Sequence, residues 1–184
     1  MAAAKKSNGS KSNNGKSKPM DAVALLKADH RKVEDLFETY ENSKSKSAKA
    51  KLAQQICMEL TVHATIEEEI FYPAVKGQVE DDMLDEAYVE HDGAKVLIAE
   101  ISAGSPDDEF YDAKVKVLSE EIEHHVKEEE ARMEGLFAQA RKAGLDMDAL
   151  GEQMAARKQQ LLAAYQAGEA LPTRMSTMPD QPAP

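Results

Sequence analysis

The sequence predicts an all-α protein, built as an up-and-down four-helix bundle with an additional C-terminal helix. Only 5% of its 184 residues are aromatic and none is tryptophan, while Ala, Leu, Glu and Lys are abundant, a composition that favours helices over strands. Four long segments carry apolar residues at spacings of three and four, with Gly, Pro and Ser between them. The length fits one domain with a single core.

The first predicted helix starts at Asp21, a good N-cap residue, and ends at the polar stretch ENSKSKS. The second runs from about 47 to 76, where Pro73 and Gly77 favour its termination. The apolar stripe of the first helix is Val23, Leu26, Val33 and Phe37, and that of the second includes Leu52, Ile56, Leu60, Ile70 and Phe71.

A third helix is predicted over about 81–103, before the breaker GSPDD, and a fourth over about 106–144, with Met133 and Leu136 in its apolar stripe. Residues 146–167 form a fifth amphipathic segment, which either caps the bundle or pairs with another chain. The predicted organisation is a disordered basic tail over 1–20, the bundle over 21–144, the C-terminal helix over 145–168 and a flexible tail over 169–184.

The charge distribution limits the expected partners. A net charge of -11 disfavours nucleic-acid binding, except for a weak contact through the tail, where five lysines and no acid occur in residues 1–20. The chain contains no apolar run long enough to cross a membrane, and its first residues lack the apolar stretch of a signal peptide. The expectation is a cytoplasmic protein without membrane contact, whose oligomeric state the sequence does not fix.

Four of the five histidines share the apolar stripe of their helix, one in each of the four bundle helices: His30, His63, His91 and His125. Glu67 and Glu129 follow two of these histidines by four residues and also face inward. His124 lies about 100° around the helix from its neighbour, although a shift of one residue in register would exchange the two. Glu68, Glu69, Glu128 and Glu130 are expected to lie in water.

These inward residues predict a metal centre. Two buried carboxylates without compensation would cost several kcal/mol each, and imidazole with carboxylate is a common ligand set for iron, manganese and zinc. The first-helix histidines of the two halves are 61 residues apart, from 30 to 91, and the second-helix histidines 62, from 63 to 125. This two-fold repeat indicates two metal ions, each held by two histidines, with the glutamates as bridges.

At these residues the chain resembles the hemerythrin-like proteins of the HHE cation-binding class. The resemblance covers about residues 21–142, and its signature stretches are LLKADHRKVEDLF, HATIEEEIFYP, EHDGAKVLI and EIEHHVKEEEARMEGLF. It implies a non-haem di-iron centre with two bridging carboxylates and a role in oxygen binding, iron storage or sensing. The ligands that it implies, position by position, are His30, His63, Glu67, His91, His125 and Glu129.

The sequence departs from the oxygen-carrying members of that class in two ways. Those carriers end with a His-x-x-x-x-Asp pair, whereas this chain has His125-x-x-x-Glu129, or the i+5 alternatives His125 with Glu130 and His124 with Glu129.

The second departure concerns the fifth histidine of those carriers, which stands one turn from the third-helix histidine, whereas Ala87 and Lys95 stand four residues either side of His91 here. Tyr88 or a water molecule is a candidate to replace it. The departure keeps a second function open, a di-iron enzyme acting on peroxide or nitric oxide, and a third reading is an interaction module in which the bundle is only a scaffold.

Overall fold

Helices form all the regular structure of residues 20–178, the part of the chain that the computed structural model describes, which confirms the predicted fold class. Residues 1–19 and 179–184 lie outside the described residues, and the predicted basic tail falls almost wholly on the first of these segments. The helices are α1 (Ala22–Asn42), α2 (Lys46–Ile66), a π-helical turn (Glu67–Phe71), α3 (Tyr72–Val75), α4 (Asp81–Ala103), α5 (Tyr111–Glu129), α6 (Leu136–Lys142) and α7 (Met147–Gln166).

The bundle consists of α1, α2, α4 and α5, each packed against the next and α5 against α1. The short connections make neighbouring helices antiparallel. The fifth predicted segment, α7, packs within the chain against α1 and α2. None of the helices between residues 20 and 178 is long and apolar enough to span a bilayer.

The bundle contains two separate apolar cores, which follow one another along its length. One contains Leu26, Ile66 and Leu136, and the other contains Val33, Phe37, Tyr40, Ile56, Leu60, Ile98 and Leu118. The apolar stripe of α1 therefore contributes to both cores, with Leu26 in the first and Val33 in the second. His30 lies between these two residues. The polar residues of the stripes thus form a layer that is closed from solvent by an apolar core on either side.

The predicted ends of the first, second, third and fifth helices agree closely with the structure. Asp21 caps α1, since its side chain accepts a hydrogen bond from the Ala24 amide at 2.9 Å. Gly77, just beyond α3, has φ +73°, a left-handed conformation that favours glycine at a helix C-terminus.

The prediction for the fourth helix is wrong over residues 106–110, which form turns before α5 begins at Tyr111, and over residues 130–135. Instead of continuing to 144, α5 ends at Glu129, a turn follows, and α6 begins at Leu136. Met133, expected in the apolar stripe, is 75% exposed. The turn needs Gly135, because a Cβ there would lie 2.6 Å from the Ala131 nitrogen and from the Glu128 oxygen.

The second helix contains a π-helical turn that the sequence pattern did not predict. A π-helix has about one residue more per turn than an α-helix, so it rotates the residues that follow it. Phe71, Tyr72 and Val75 consequently lie in the core, whereas Ile70, expected there, is only half-buried. The turn begins at Glu67, one of the predicted ligands.

After α7 the chain passes Gly168 and returns along the bundle. Leu171 packs against an apolar core, and residues 174–177 form hydrogen bonds with side chains of α4 and of the π-helical turn. This is the described part of the predicted flexible tail. It has no regular secondary structure, yet it makes specific contacts.

Candidate metal centre

The six predicted ligands lie together in the polar layer between the two cores. Two helices supply one histidine each, which are His30 on α1 and His91 on α4. The other two supply a histidine and a glutamate each: α5 carries His125 and Glu129, and α2 with the π-helical turn carries His63 and Glu67. All six are 0–6% exposed. Metal ligation by these residues stays a prediction.

The histidines form two pairs whose Nε2 atoms face each other. The Nε2 atoms of His30 and His63 are 3.1 Å apart, and those of His91 and His125 are 3.3 Å apart. Two imidazole nitrogens at this separation share at most one proton between them, although a single cation can accept both lone pairs. Each pair therefore has the geometry of a half-site.

Each glutamate contacts one histidine of each pair. Glu67 Oε2 lies 3.1 Å from His63 Nε2 and 3.4 Å from His91 Nε2. Glu129 Oε2 lies 3.5 Å from His30 Nε2 and 3.6 Å from His125 Nε2. Both carboxylates thus span the two half-sites, the arrangement that a bridging ligand requires.

Several buried polar atoms of this layer have no hydrogen-bond partner, although buried polar groups in proteins are nearly always satisfied. They are Glu67 Oε1, Glu129 Oε2, His63 Nδ1 and Asp29 Oδ2. Two of the four belong to the carboxylates that span the pairs. Cations bound between the imidazoles and carboxylates would satisfy both of these oxygens, so the residues present fit a metal centre.

Burial and mutual charge set unusual protonation states in this layer. Burial, with the neighbouring His63, lowers the pKa of His30 to about 4. Burial also opposes the charged form of His63, but the carboxylates of Glu67 and Asp29 raise its pKa to about 10. Burial and the charge of Glu67 raise the pKa of Glu129 to about 8. At neutral pH, protons on His63 and Glu129 thus neutralise a pocket that would otherwise hold two adjacent buried carboxylates.

Each of the four histidines has a carboxylate at its other ring nitrogen, the outer-shell arrangement typical of metal-binding imidazoles. The Nδ1 distances are 2.8 Å for His30 to Glu130, 3.6 Å for His63 to Asp29, 2.9 Å for His91 to Glu68 and 2.7 Å for His125 to Glu90. Carboxylates in these positions orient the rings so that Nε2 points to the centre.

The sequence analysis missed this outer shell and placed Glu68 and Glu130 in water. Their side chains are only 13% and 19% exposed, because each binds a histidine and basic side chains such as Lys95 and Lys27. Glu69 is exposed, as predicted, whereas Glu128 is half-buried, with its side chain 39% exposed and paired with His124.

The spacing could have revealed the outer shell. Asp29 and Glu90 each precede a first-helix histidine by one residue, and Glu68 and Glu130 each follow a bridging glutamate by one. The outer shell thus repeats with the same interval as the inner residues, 61 from 29 to 90 and 62 from 68 to 130.

Tyr72, which the sequence analysis did not single out, reaches the centre. Its hydroxyl lies 3.1 Å from Glu129 Oε1, 3.4 Å from His91 Nε2 and 3.5 Å from Glu67 Oε2. The π-helical turn places it there, because residues five apart then share a face. Tyr88, the predicted replacement for the missing fifth histidine, instead packs edge-on against the Tyr72 ring at 5.2 Å.

The structure also resolves the register of the adjacent histidines. His125 is buried at the centre, whereas the His124 side chain is 61% exposed and lies 3.3 Å from Glu128. His124, Glu128 and Glu90 form a separate surface group.

A small cavity of about 30 Å³ adjoins the histidines. All four contribute to its wall, and most of the remainder is aliphatic: Val33, Leu60, Ala94, Ile98, Ile122 and Val126. A space of this volume holds about one or two water-sized molecules. The centre therefore has room for a ligand of two or three heavy atoms.

Known proteins share this fold and this sequence pattern. A solved structure of a hemerythrin HHE cation binding domain-containing protein from Mycobacterium kansasii is similar in fold, with a TM-score of 0.67 and 22% identity, over 80% of this chain and 91% of that one. A protein named DNA nickase from Nostoc sp. (strain PCC 7120 / SAG 25.82 / UTEX 2576) is 32% identical over 114 residues. That alignment covers 62% of this chain but only 32% of the relative, so the chain spans about a third of that protein's length.

The family model of the hemerythrin HHE cation binding domain matches residues 21–137. The matched region includes all six inner residues, their four outer-shell carboxylates and Tyr72. Since the match spans well over half of the sequence, the chain belongs to the hemerythrin HHE cation-binding domain family.

Proposed function

We propose that the chain holds two iron ions between its two histidine pairs and uses them to bind or respond to oxygen, in oxygen binding, iron storage or sensing. The observation that carries the proposal is that Glu67 and Glu129 each contact one histidine of both pairs. Each ion would have two imidazoles of its own and share both carboxylates. Two bound irons supply one-electron redox chemistry and affinity for oxygen and related small ligands.

The residues around the centre support a small ligand. The adjoining cavity has about 30 Å³ and a largely aliphatic wall, which suits a neutral diatomic molecule or a peroxide. Hydrogen bonds to outer-shell carboxylates fix three of the four imidazoles, those of His30, His91 and His125, and the two apolar cores keep bulk water away.

The test is metal content together with absorption. Protein purified from iron-fed cells is expected to contain two irons per chain, with charge-transfer bands that change on dithionite reduction and return in air. Protein that is free of metal under these conditions would contradict the proposal. Bound manganese or zinc instead of iron would support the metal site, since the donor set accepts all three metals, but would contradict the proposed oxygen chemistry.

Metal binding is expected to release about two protons per chain at pH 7. In the metal-free protein the pKa of His63 is about 10 and that of Glu129 about 8, so both are protonated at pH 7, whereas ligation requires the unprotonated forms. Apparent metal affinity should therefore rise with pH from 6 to 8. A pH indicator in weakly buffered solution measures the release during titration with Zn²⁺, and a value near zero would contradict the assigned protonation states.

A second candidate function is a di-iron enzyme that acts on peroxide or nitric oxide. The observation that favours it is Tyr72, whose hydroxyl lies within 3.1–3.5 Å of atoms of His91, Glu67 and Glu129. Burial and the nearby carboxylates hold the pKa of Tyr72 well above its usual value, so the phenol keeps its proton. A neutral phenol at the centre can donate that proton to a reacting oxygen.

The Tyr72→Phe variant separates the two candidates. If the protein is an enzyme, the variant should keep its iron and lose roughly a hundredfold in turnover, the usual effect of removing a proton donor. Tyr88→Phe is the matched control, since Tyr88 packs on Tyr72 and has no contact of its own with the six inner residues among the described contacts. Wild-type protein that binds oxygen without turnover, with His63→Ala equally inactive, would reject the enzyme.

Nucleic-acid cleavage is not part of the proposal, although one relative carries the name DNA nickase. Two thirds of that relative have no counterpart in the alignment, and the net charge of -11 disfavours contact with phosphates. The cytoplasmic location and the weak contact of the basic tail with nucleic acid stay predictions.

A further inference from the structure

The cavity beside the centre is lined by the C-terminal segment as well as by the bundle. Pro172 contributes to its wall, and among the described residues it is the one lining residue that lies outside α1, α2, α4 and α5. The segment 171–177, here called the strap, runs from Leu171, which packs against an apolar core, to Thr177. The part of the wall formed by the strap can move without disturbing a bundle helix.

Asp92 on α4 holds the end of the strap. Its Oδ1 accepts a hydrogen bond from the Ser176 amide at 2.8 Å. Its Oδ2 accepts two from Thr177, at 2.8 Å from the amide and 2.7 Å from the hydroxyl. Asp92 is 6% exposed, whereas Ser176 and Thr177 lie at the surface. This carboxylate is the principal latch of the strap.

Two further side chains link the strap to the centre. Lys95 donates to the Arg174 carbonyl at 3.0 Å and to the Glu68 carboxylate. The Ser176 hydroxyl donates to Glu68 Oε2 at 2.5 Å, and Glu68 Oε1 is 2.9 Å from His91 Nδ1. A chain of hydrogen bonds therefore leads from the strap to an inner histidine.

The strap is held more weakly than the helices around it. It has no regular secondary structure, its residues 172–174 and 176–177 are exposed, and its contacts include the hydrogen bonds with Asp92, Lys95 and Glu68. Segments with few buried apolar contacts open at a lower free-energy cost than core helices. Opening of the strap would take Pro172 away from the cavity and leave the bundle intact.

We propose that the strap is a lid over the ligand cavity, with Pro172 as its closing residue and Asp92 as its latch. The identity of the admitted ligand rests on the proposed function, whereas the closing action rests only on the contacts above. A closed strap limits the entry of small molecules to the histidines. An open strap admits them and releases Ser176 from Glu68.

Two variants of the full chain test the lid separately. Asp92→Ala removes the latch, so the Ser176 and Thr177 amides should exchange hydrogen roughly tenfold faster or more. Pro172→Gly removes the wall and leaves the latch, so these amides should stay protected. Asp85→Ala, at an exposed acid on the same helix, is the control and should behave like wild type.

Entry to the centre is measured in two ways. In reduced, iron-loaded protein both variants should bind nitric oxide roughly tenfold faster than wild type, with unchanged iron content. In metal-free protein diethyl pyrocarbonate should acylate the buried histidines correspondingly faster. Wild-type entry rates in both variants would overturn the lid, and unchanged amide exchange in Asp92→Ala would overturn the latch. Failure to load iron would reject the proposed function instead, while the metal-free measurements would still decide on the lid.

Discussion

Replacing His125 with alanine is expected to lower bound iron from two ions per chain to one at most, whereas replacing His124 leaves both. The two residues are adjacent on α5, yet His125 is buried with Nε2 3.3 Å from His91 Nε2, and the His124 side chain is 61% exposed. The half-site of His91 would keep one imidazole and the shared carboxylates, too few protein ligands for tight binding.

The measurement is iron per chain after desalting, with circular dichroism to show that both variants keep their helices. His124→Ala controls for the loss of an imidazole from α5, because the carboxylates near that side chain in the described part of the protein are those of Glu90 and Glu128, at the surface. Equal iron content in the two variants would contradict the assignment of His125. Loss of iron in His124→Ala alone would show that His124, not His125, is the metal ligand.

Helix periodicity was sufficient to predict the fold and the inner residues. Counting by threes and fours requires only that a helix is regular, and α1 and α4 are regular throughout. His30 and His91 could therefore be placed from the sequence. The spacing of His63 to Glu67 and of His125 to Glu129 was also reliable, because both pairs precede the irregular turns that follow them.

Prediction failed where tertiary contacts change the helical register. The π-helical turn after α2 moves Tyr72 to the centre, and no breaker residue in EEEIF marks that turn. The end of α5 depends on the close approach of Gly135 to Ala131, a contact between backbones that periodicity does not record. A regular helix also assigns Glu130 to solvent, whereas the turn brings it to His30.

The same residues explain why these irregularities occur at the centre. Glu67 begins the π-helical turn and Glu129 ends α5, so each of the two inner glutamates stands at the boundary where the regular helix ends. The change of direction lets the next residue, Glu68 or Glu130, reach a histidine of a different helix. Regular helices would present only one of the two consecutive glutamates to the site.

The Glu129→Gln variant is expected to stabilise the metal-free protein and to abolish tight metal binding. Burial and the charge of Glu67 raise the pKa of Glu129 to about 8, so the folded protein disfavours the ionised form. A folded-state pKa above the unfolded value gives a contribution to stability that is complete below about pH 4.5 and is lost as the pH rises through 8. Glutamine does not ionise and retains an oxygen that can accept from Tyr72, which donates at 3.1 Å.

The gain in unfolding free energy should therefore grow from near zero at pH 4.5 to about 4 kcal/mol at pH 8, since each unit of the raised pKa of Glu129 corresponds to about 1.4 kcal/mol. Urea denaturation of the chelator-treated protein at the two pH values measures it. Glu128→Gln, one residue away at a side chain whose ion pair in the described part of the chain is with the exposed His124, should change neither stability nor metal content.

With metal present, the wild type is expected to be more stable than the Glu129→Gln variant. Free metal at 1,000 times its dissociation constant stabilises the wild type by about 4 kcal/mol for each bound ion, or about 8 kcal/mol for two, whereas the variant cannot bind it tightly and gains little. A variant that is less stable than wild type without metal at pH 8 would show that Glu129 serves the fold. The expected reversal would instead show that a destabilising carboxylate is retained at this position because it binds the metal.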